Sequence, residues 1–403
     1  MAAQTPALPV VLVPAQRTAS PSIEAPAPPT TALPPGTRIA LCNWRDLTHP
    51  DGGGSELYVE SVARWLAAQG HDVTVLCAHV DGQPGDEVRD GVRYRRRGGR
   101  AGVYIAAAWA LLTRRVPADA IVDVQNGLPF LSPLVTRRPV VCLVHHVHRE
   151  QWPVVFGRRV ARVGWQIESR IAPRLYRRSR YVAVSEITRT ELGELGIAAE
   201  RVAVVHNGTA PPRAIAAPRT AQPSIVILGR LVPHKRVEVV LHAAAELRAQ
   251  MPGLTIDIVG RGWWEGELRA ECTRLGLDDV ITFHGFVDEE TKAALLARAW
   301  LQAVPSLKEG WGLSVVEAAG YGTPSVAFAH SGGLSESIVD GRTGVLVDGD
   351  ERDYTRVLGD LLADRGRLVR LGTAARAHAA RFRWESTGAG IDRELAAALE
   401  QQA

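Results

Sequence analysis

The chain has 403 residues, 46% of them hydrophobic and 22% charged, which is the composition of a globular protein. A chain of this length is expected to fold as two or three domains. It contains no run of eighteen apolar residues, so no membrane-spanning helix is predicted. Its net charge of +4, from 47 basic and 43 acidic residues, is too even to indicate a nucleic-acid partner.

Residues 1–36 differ from the rest of the chain, with nine prolines and only Arg17 and Glu24 as charges. They lack the basic start and apolar run of a secretory signal. A segment of this composition cannot build a core, so a disordered leader is predicted.

The four cysteines, Cys42, Cys77, Cys142 and Cys272, form no C-x-x-C pair of the kind that binds metals. Three lie in apolar runs such as VVCLV, where a thiol behaves as a small hydrophobic side chain. Buried free thiols in a reducing compartment are therefore predicted, and we expect a cytoplasmic protein.

From residue 37 onward, short apolar runs alternate with stretches of helical periodicity, which predicts an α/β fold with parallel sheets. Strands of a first series are expected at 38–44, 72–79, 120–126, 140–146, 181–185 and 201–207. Strands of a second series are expected at 224–230, 255–260, 280–285, 301–306, 324–329 and 344–347.

The two series are separated by a proline-rich stretch without periodicity, predicted to be a linker over 211–223. This leaves two doubly wound domains at 37–210 and 224–383. Such folds bind ligands outside the carboxyl ends of their strands. We therefore expect a cleft between the domains, with a site that spans both.

The densest functional pattern is PSLKEGWGLSVVEAAGYGTPSVA, residues 305–327, which runs from a strand through a glycine-containing loop into a helix. Gly310 and Gly312 would let the backbone approach a ligand, and the start of the helix favours an anion such as a diphosphate. Glu317, one turn into the helix, could bind a ribose diol, while Glu309 could reach a sugar hydroxyl. The alternative is that both glutamates are merely solvated.

In the segment GRLVPHKR, Arg230 ends a predicted strand and Lys235 follows five residues later. Two cations at this position could neutralise a leaving diphosphate, although surface cations are often only solvated.

In the first half, the glycines of DGGGSE precede an amphipathic helix, and VVCLV ends in His145, His146 and His148. Histidines at such an edge can hydrogen-bond a sugar or relay a proton. Their spacing is not that of a zinc site, so no metal is predicted.

The order of GGGSE, His145, HNG (206–208), GRLVPHKR, GFV (285–287), the 305–327 segment and GRTGVLV resembles the family 4 retaining glycosyltransferases of the GT-B type. The resemblance extends over residues 38–390. It implies a nucleotide-sugar donor bound mainly by the second domain and an acceptor bound mainly by the first. It also implies that 384–403 form a helix that crosses back to the first domain.

In that family, the positions matching Arg230 and Lys235 hold the donor diphosphate, Glu317 holds the ribose, Glu309 holds the donor sugar, and His145 lies beside that sugar. The resemblance implies catalytic roles for all of these except Glu317. Further donor contacts are implied for Gly53, Gly54, Phe286, Val287, Gly310, Trp311, Gly312 and Leu313.

Two departures bear on the substrates. Trp311 is bulkier than the family's usual phenylalanine, and GRGWWEGELRA (260–270) carries two tryptophans, so the donor sugar stays open. The residues expected to form the acceptor pocket lie at two strand ends and are Asp123, Asn126, His146 and His148.

The resemblance implies a front-face reaction in which the leaving phosphate takes the acceptor proton. We expect no metal and no cofactor besides the nucleotide-sugar co-substrate, with a UDP-sugar favoured over a GDP-sugar. The alternatives are a sugar phosphorylase of the same fold and a non-catalytic sugar-nucleotide-binding protein.

The segment 149–180 holds nine arginines against Glu150 and Glu168. Apolar residues recur in it at helical spacing, namely Val160, Val163, Ile167, Ile171 and Leu175. The favoured interpretation is a domain helix with this face turned to the core. The alternative is peripheral contact with the inner membrane face and a lipid-linked acceptor.

Overall fold

The structure is a computed structural model that describes residues 30–50, 52–215 and 217–402. These residues form two α/β domains, each built on one sheet, which confirms the predicted fold class. The four cysteines are buried free thiols, as predicted. No helix within the described ranges has the length and apolar content needed to cross a bilayer.

The strands are β1 (Arg38–Cys42), β2 (Asp72–Cys77), β3 (Asp86–Arg89), β4 (Val92–Arg96), β5 (Ala120–Gln125), β6 (Val140–Val144), β7 (Arg180–Ala183), β8 (Val202–Val204), β9 (Ser224–Leu228), β10 (Thr255–Val259), β11 (Ile281–Gly285), β12 (Leu301–Val304), β13 (Ser325–Phe328) and β14 (Gly344–Val347). The helices are α1 (Gly54–Ala68), α2 (Gly102–Leu112), α3 (Trp152–Val155), α4 (Arg158–Gln166), α5 (Ala172–Leu175), α6 (Glu186–Glu194), α7 (Glu238–Leu247), α8 (Glu265–Arg274), α9 (Glu289–Arg298), α10 (Leu313–Gly320), α11 (Leu334–Ser337), α12 (Glu351–Ala363), α13 (Arg365–Ala379) and α14 (Trp384–Glu400).

The N-terminal sheet has the order β3-β4-β2-β1-β5-β6-β7-β8, and only β3 is antiparallel to its neighbour. The C-terminal sheet is parallel and has the order β11-β10-β9-β12-β13-β14. In both sheets the strand order reverses beside the first strand, at β1/β5 and at β9/β12. The carboxyl ends at these two points are where a doubly wound fold binds its ligand.

Every predicted strand is present, because parallel strands covered on both faces are apolar along their whole length. The hairpin β3–β4 was missed because its strands are polar, with β4 alternating between buried and exposed residues. Asp90 and Gly91 join the two strands with left-handed backbone angles (φ of 51° and 77°). An Asp-Gly pair between alternating segments is the sequence signal that identifies such a hairpin.

The predicted leader differs from the structure at its end. Residues 1–29 lie outside the described ranges, but residues 30–36 are ordered against α14. The Thr31 hydroxyl and the Ala32 amide both donate to the carboxylate of Asp392 at 2.5 Å, and Leu33 is buried in the N-terminal core. Hydrogen bonds to a buried carboxylate therefore order the chain before residue 37.

The last helix, α14, packs on α1 and on the N-terminal sheet. Two of its glycines make this packing possible. A Cβ on Gly388 would overlap the indole of Trp65, and a Cβ on Gly390 would lie 2.6 Å from Val205. Next to its start, Thr209 donates its amide to the carbonyl of Phe382 at 3.1 Å, so the two segments that connect the domains lie side by side.

The arginine-rich segment packs on the core of its domain as expected, but it does so through a different face from the predicted one. Val160 and Val163 are 56% and 59% exposed, and Ile171 is also exposed. The buried side of this helical segment consists instead of Ala161, Gly164, Glu168, Ala172 and Tyr176. Small residues pack closely against the domain here, which turns the larger aliphatic residues toward solvent.

The packing of α14 can be tested by a pair of Gly→Ala changes inside helices. Gly388→Ala should destabilise the protein by about 1–3 kcal/mol, because the added methyl group overlaps Trp65. Gly266→Ala in α8, where the same methyl group meets open space, should be neutral or stabilising by up to about 1 kcal/mol. Thermal unfolding midpoints measure both, and equal midpoints would contradict this close packing.

Candidate functional site

Loops from both domains meet at the carboxyl ends of β1, β6, β9 and β12. A Cβ on Gly53, which follows β1, would lie 3.7 Å from the Arg230 Nε atom, which follows β9. A Cβ on Gly54 would lie 3.7 Å from Leu313, the first residue of α10. These predicted site residues are therefore brought together across the cleft.

The closest approach involves Gly310, where a Cβ would overlap the carbonyl oxygen of His145 at the end of β6. Only glycine fits at this position. Gly312 has a left-handed φ of 89° and directly precedes α10, and a Cβ there would overlap Leu334. The loop before α10 is thus packed closely against the N-terminal domain and against Leu334.

The glycine loop in the N-terminal domain is held by a carboxylate. The amide of Gly53 donates to Oε2 of Glu56 at 2.8 Å, and Oε1 of Glu56 accepts from Arg45 Nε at 3.3 Å. Glu56 and Arg45 are both buried. The first turn of α1 is therefore fixed facing Arg230.

Lys235 and Glu309 form an ion pair inside the cleft. The Ser306 hydroxyl also donates to Glu309, at 2.7 Å. Burial opposes ionisation of Glu309, but Lys235 and Ser306 outweigh burial and lower its pKa below the usual value. Together with Arg230 they line a pocket, so an ionised carboxylate and two cations share one small volume.

Glu317 is held by a different cation. Lys292, on α9, places its Nζ 3.2 Å from Glu317 and 2.9 Å from Glu289. Burial raises the pKa of Glu317, and Lys292 partly opposes that effect. Lys292 was not identified from the sequence, because only the packing of α9 beside α10 brings it to Glu317.

His145 is buried, and its ring meets Tyr58 edge-on at 5.3 Å between centroids. Its Nε2 has no hydrogen-bond partner among the described residues. Burial lowers the pKa of His145 to about 4, so the ring is neutral at physiological pH. A neutral imidazole with an open nitrogen can hydrogen-bond a hydroxyl but is a weak base.

The two following histidines belong to a buried polar cluster. His146 Nε2 lies 2.7 Å from Gln151 Oε1, and His148 Nδ1 lies 3.0 Å from Glu168 Oε1. Glu168 is fully buried and also accepts from Trp152 Nε1 at 2.7 Å. It lies on a π-helical turn, Ile167–Ile171, a geometry frequent at functional sites. From the sequence, Glu168 was treated only as a charge. Its hydrogen bonds to His148 and Trp152 were not predicted.

Asp123 was predicted to line the acceptor pocket, and this assignment is corrected. Its buried carboxylate accepts from the amides of Phe130 and Ser132 at 3.0 and 3.2 Å and from the Tyr176 hydroxyl. It therefore holds the loop after β5 in place. Asn126 is half-buried and donates to Asn43 Oδ1 at 3.2 Å.

The expectation that the bulk of Trp311 bears on the donor sugar is also corrected. Its indole is buried and stacked on His206, with 4.3 Å between ring centroids, and it meets Phe382 edge-on. The side chain belongs to the packing between the domains, so only the backbone of Trp311 can contact a ligand in the cleft.

The loops after β10 and β11 support the same edge. Cβ atoms on Gly260 and Gly262 would overlap the carbonyls of Gly229 and Leu231, so the GRG loop braces the backbone around Arg230. After β11, the Phe286 side chain is largely exposed, while Val287 packs beside Leu228.

An ion cluster joins the domains beside the site. Lys308 Nζ lies 2.9 Å from Glu150 and 2.5 Å from Glu191, and Lys308 is buried. Glu336 accepts from the amides of Glu186 and Ile187, at the start of α6, at 2.9 Å each. The 305–312 loop is therefore tied to the loop that carries the three histidines.

The chain contains only three lysines against 44 arginines, and each of the three is paired with a carboxylate. Elsewhere cationic side chains are arginines. No group of three or more His, Cys, Asp or Glu suited to hold a metal is found within the described ranges.

Comparisons with known proteins agree with this architecture. A sequence profile described as "Glycosyltransferase Family 4" matches residues 52–213, and one described as "Glycosyl transferases group 1" matches residues 212–378. The D-inositol 3-phosphate glycosyltransferase of Thermobispora bispora is 31% identical over 401 residues, covering 87% of this chain and 91% of that protein. The chain belongs to the family 4 glycosyltransferases.

Other matches cover less. The D-inositol 3-phosphate glycosyltransferase of Nocardia farcinica is 40% identical over 186 residues, which are 44% of this chain and 41% of that protein. The chain thus spans about half the length of the first curated relatives it matches.

Solved structures confirm the GT-B fold. The sucrose-phosphate synthase of Thermosynechococcus elongatus superposes with a TM-score of 0.74 at 20% identity, covering 89% of this chain and 98% of that one. The Anabaena protein HepE in complex with UDP-glucose superposes with a TM-score of 0.68 at 20% identity, covering 89% and 99%.

The ion cluster generates a prediction about how the domains are held together. Lys308→Ala leaves Glu150 and Glu191 facing each other without a cation, so it should lower the thermal midpoint and enlarge the radius of gyration measured by X-ray scattering. Breaking a buried pair typically costs about 3–5 kcal/mol. Arg274→Ala, which breaks an exposed pair with Glu271, should leave the thermal midpoint close to that of the wild type. Equal effects of the two variants would rule out a holding role for Lys308.

Proposed function

We propose that the protein is a retaining glycosyltransferase that moves a sugar from a nucleoside diphosphate sugar to an acceptor hydroxyl, without a metal ion. The observation that carries this proposal is that Arg230, Lys235 and Glu309 line one pocket just before the start of α10. Gly53 and His145 of the N-terminal domain lie opposite this pocket.

The donor diphosphate is proposed to bind between Arg230 and Lys235. Arginine offers a fork of donors that fits phosphate oxygens, and lysine offers a point charge. In the structure Lys235 is paired with Glu309, so a diphosphate would share this ammonium with the carboxylate. The amides at the start of α10 add donors and a favourable dipole.

The ribose is proposed to bind Glu317, and the transferred sugar to bind Glu309 and the backbone from Gly310 to Leu313. The two glutamates have separate cations, Lys235 and Lys292, and so do not form the paired acid and base of a glycosidase. An ionised Glu309 can accept hydrogen bonds from sugar hydroxyls, which suits binding rather than proton donation.

The reaction is proposed to occur on one face of the sugar. The acceptor oxygen bonds to the anomeric carbon, the bond from that carbon to the phosphate oxygen breaks, and the acceptor proton passes to the departing phosphate. Such a route fits a His145 that is too weak a base to take the proton at neutral pH. Each cation or amide that stabilises the leaving group is expected to contribute about 3–4 kcal/mol.

For the donor we propose a UDP-sugar first and a GDP-sugar next, with Phe286 and Val287 beside the base. The UDP-glucose complex of the structural neighbour HepE supports this order.

For the acceptor we propose a pocket around Asn126, His146 and His148, in which Glu168 holds His148 in place. The names of the curated relatives make an inositol phosphate the first small molecule to test. A lipid-linked acceptor in cell-envelope or glycoconjugate synthesis is the other class, with peripheral membrane contact through 149–180 and a cytoplasmic location. The exposed Val160 and Val163 among arginines support that contact.

A phosphorylase of the same fold is the second candidate function, because Arg230 and Lys235 would also hold inorganic phosphate. It has no use for a ribose site at Glu317. Release of sugar 1-phosphate on addition of phosphate would favour it, whereas release of a nucleoside diphosphate favours the transferase.

Loss of the Lys235 charge should remove donor stabilisation. In a thermal-shift panel of UDP-, GDP- and ADP-sugars, the wild type should gain about 2.7 kcal/mol at a hundredfold excess over Kd. Lys235→Ala should lose this gain and lower kcat/KM by about 100-fold or more, and Glu309→Ala should lower kcat similarly.

Arg236→Ala is the matched control, because Arg236 pairs with Glu351 outside the cleft. Full turnover by Lys235→Ala or Glu309→Ala would refute the assignment.

Lys292 should set the pH dependence of donor binding. In Lys292→Met only burial and Glu289 act on Glu317, so its pKa rises further. If the ionised carboxylate binds ribose, the donor affinity of this variant should begin to fall at a higher pH than that of the wild type as the pH is lowered. Lys292→Arg should restore the wild-type profile. Parallel profiles for Lys292→Met and wild type would exclude this role.

A further inference from the structure

One layer of the N-terminal domain presents an apolar outer surface. The layer covers one face of the sheet and consists of α2, the turn at 132–134, and the segment α4–α5. Its inner side forms a single buried cluster that includes Val103, Phe130 and Tyr176. The outer sides of these elements therefore lie on the same side of the N-terminal sheet.

The helix α2, GVYIAAAWALL, contains no charged residue. It buries Val103, Ala107 and Leu111, while three large apolar residues on the other side stay exposed. The exposed fractions of Ile105, Trp109 and Leu112 are 76%, 56% and 59%. Their spacing of four and three residues places them on one stripe of the helix. A helix that merely covers a sheet carries polar residues on such a stripe.

Other elements of the same layer also carry exposed apolar residues. Leu134, in the neighbouring turn, is 62% exposed, and α4 adds the exposed Val160 and Val163. The C-terminal domain has fewer exposed large apolar side chains among the described residues, and they are separate from one another in sequence.

The charges around this surface are predominantly positive. A groove beside Trp109 has a floor that includes Leu76 and is bordered by three arginines: Arg95, Arg97 and Arg115. Asp86 pairs with two of them. The α4–α5 side adds the arginines of 149–180. Glu168, one of the two glutamates in that segment, is buried and so does not reduce the positive charge of the outer surface.

We propose that this outer surface docks on an anionic lipid bilayer, with Ile105, Trp109 and Leu112 inserted at the boundary between headgroups and acyl chains. Tryptophan favours that boundary, and arginines near the surface attract lipid phosphates. The inserting element is α2, which lies outside the 149–180 segment, and the proposal does not depend on the transfer reaction.

A second copy of the chain fits this surface less well. A symmetric dimer brings the same patch of both subunits together. The arginines of the groove and of 149–180 would then face their own copies, and like charges would oppose association. Lipid phosphates complement these charges instead.

Docking through this layer would hold the cleft close to the membrane. Trp44, in the loop after β1, donates its indole N–H to the carbonyl of Arg100 at 2.9 Å. This bond joins the loop to the start of α2. The same post-β1 loop leads to the glycines that face Arg230. An acceptor carried in the bilayer would therefore reach the cleft over a short distance.

Vesicle flotation at low salt tests the proposal, with phosphatidylcholine vesicles that contain or lack phosphatidylglycerol. The wild type should float only with the anionic vesicles. The triple variant Ile105→Ser/Trp109→Ser/Leu112→Ser should lose binding by at least about tenfold. The matched control is Trp263→Ser/Val339→Ser/Val369→Ser, which removes exposed apolar residues of the C-terminal domain and should float like the wild type.

Three outcomes would overturn the proposal: no flotation of the wild type, wild-type flotation of the α2 variant, or a dimer in light scattering that the α2 variant abolishes without vesicles. Folding of the variant is checked by its thermal midpoint. If it does not fold, Leu112→Cys labelled with an environment-sensitive dye replaces it, since the native thiols are buried. A blue shift with anionic vesicles supports insertion, and an unchanged spectrum overturns it. Consumption of a nucleotide sugar with a water-soluble acceptor tests the proposed function separately.

Discussion

The cleft depends on the approach of the 305–312 loop to the end of β6. At Gly310 the two backbones are so close that any side chain would overlap the carbonyl of His145. This contact brings Glu309 and Lys235 close to the N-terminal domain, and Lys308 binds the same loop to Glu150 and Glu191. The distance between the two halves of the site is therefore set by backbone packing rather than by flexible side chains.

Much of this architecture was readable from the sequence because its signals are local. Strands covered on both faces must be apolar throughout, and glycine is required where backbones touch or helices begin after a sharp turn. Both patterns can be recognised in one sequence without an alignment. Gly53, Gly310 and Gly312 were therefore identified together with the strands they follow. The β3–β4 hairpin failed the first criterion because an edge hairpin needs only one buried face.

The errors concern the direction of side chains and their distant partners. Asp123 lies on a strand of the predicted site edge, yet it faces the helical layer, and a sequence does not reveal which face a polar strand residue takes when both faces are buried. Trp311 lies in the loop before α10, and its indole is buried against His206 by the packing between the domains, which a sequence does not reveal. Lys292 lies in none of the motifs, and Lys308 lies within the 305–327 segment without a predicted role. Each was recognised only because folding placed it beside a carboxylate.

The side-by-side connection at Thr209 and Phe382 has a mechanical consequence. The C-terminal domain leaves the N-terminal domain through one segment and returns through another, and the two are hydrogen-bonded to each other where they cross. A single connecting segment would let one domain rotate freely relative to the other. Two hydrogen-bonded segments resist twisting and bend about one axis. The two domains can therefore open and close about that axis while the loops that face each other across the cleft stay aligned.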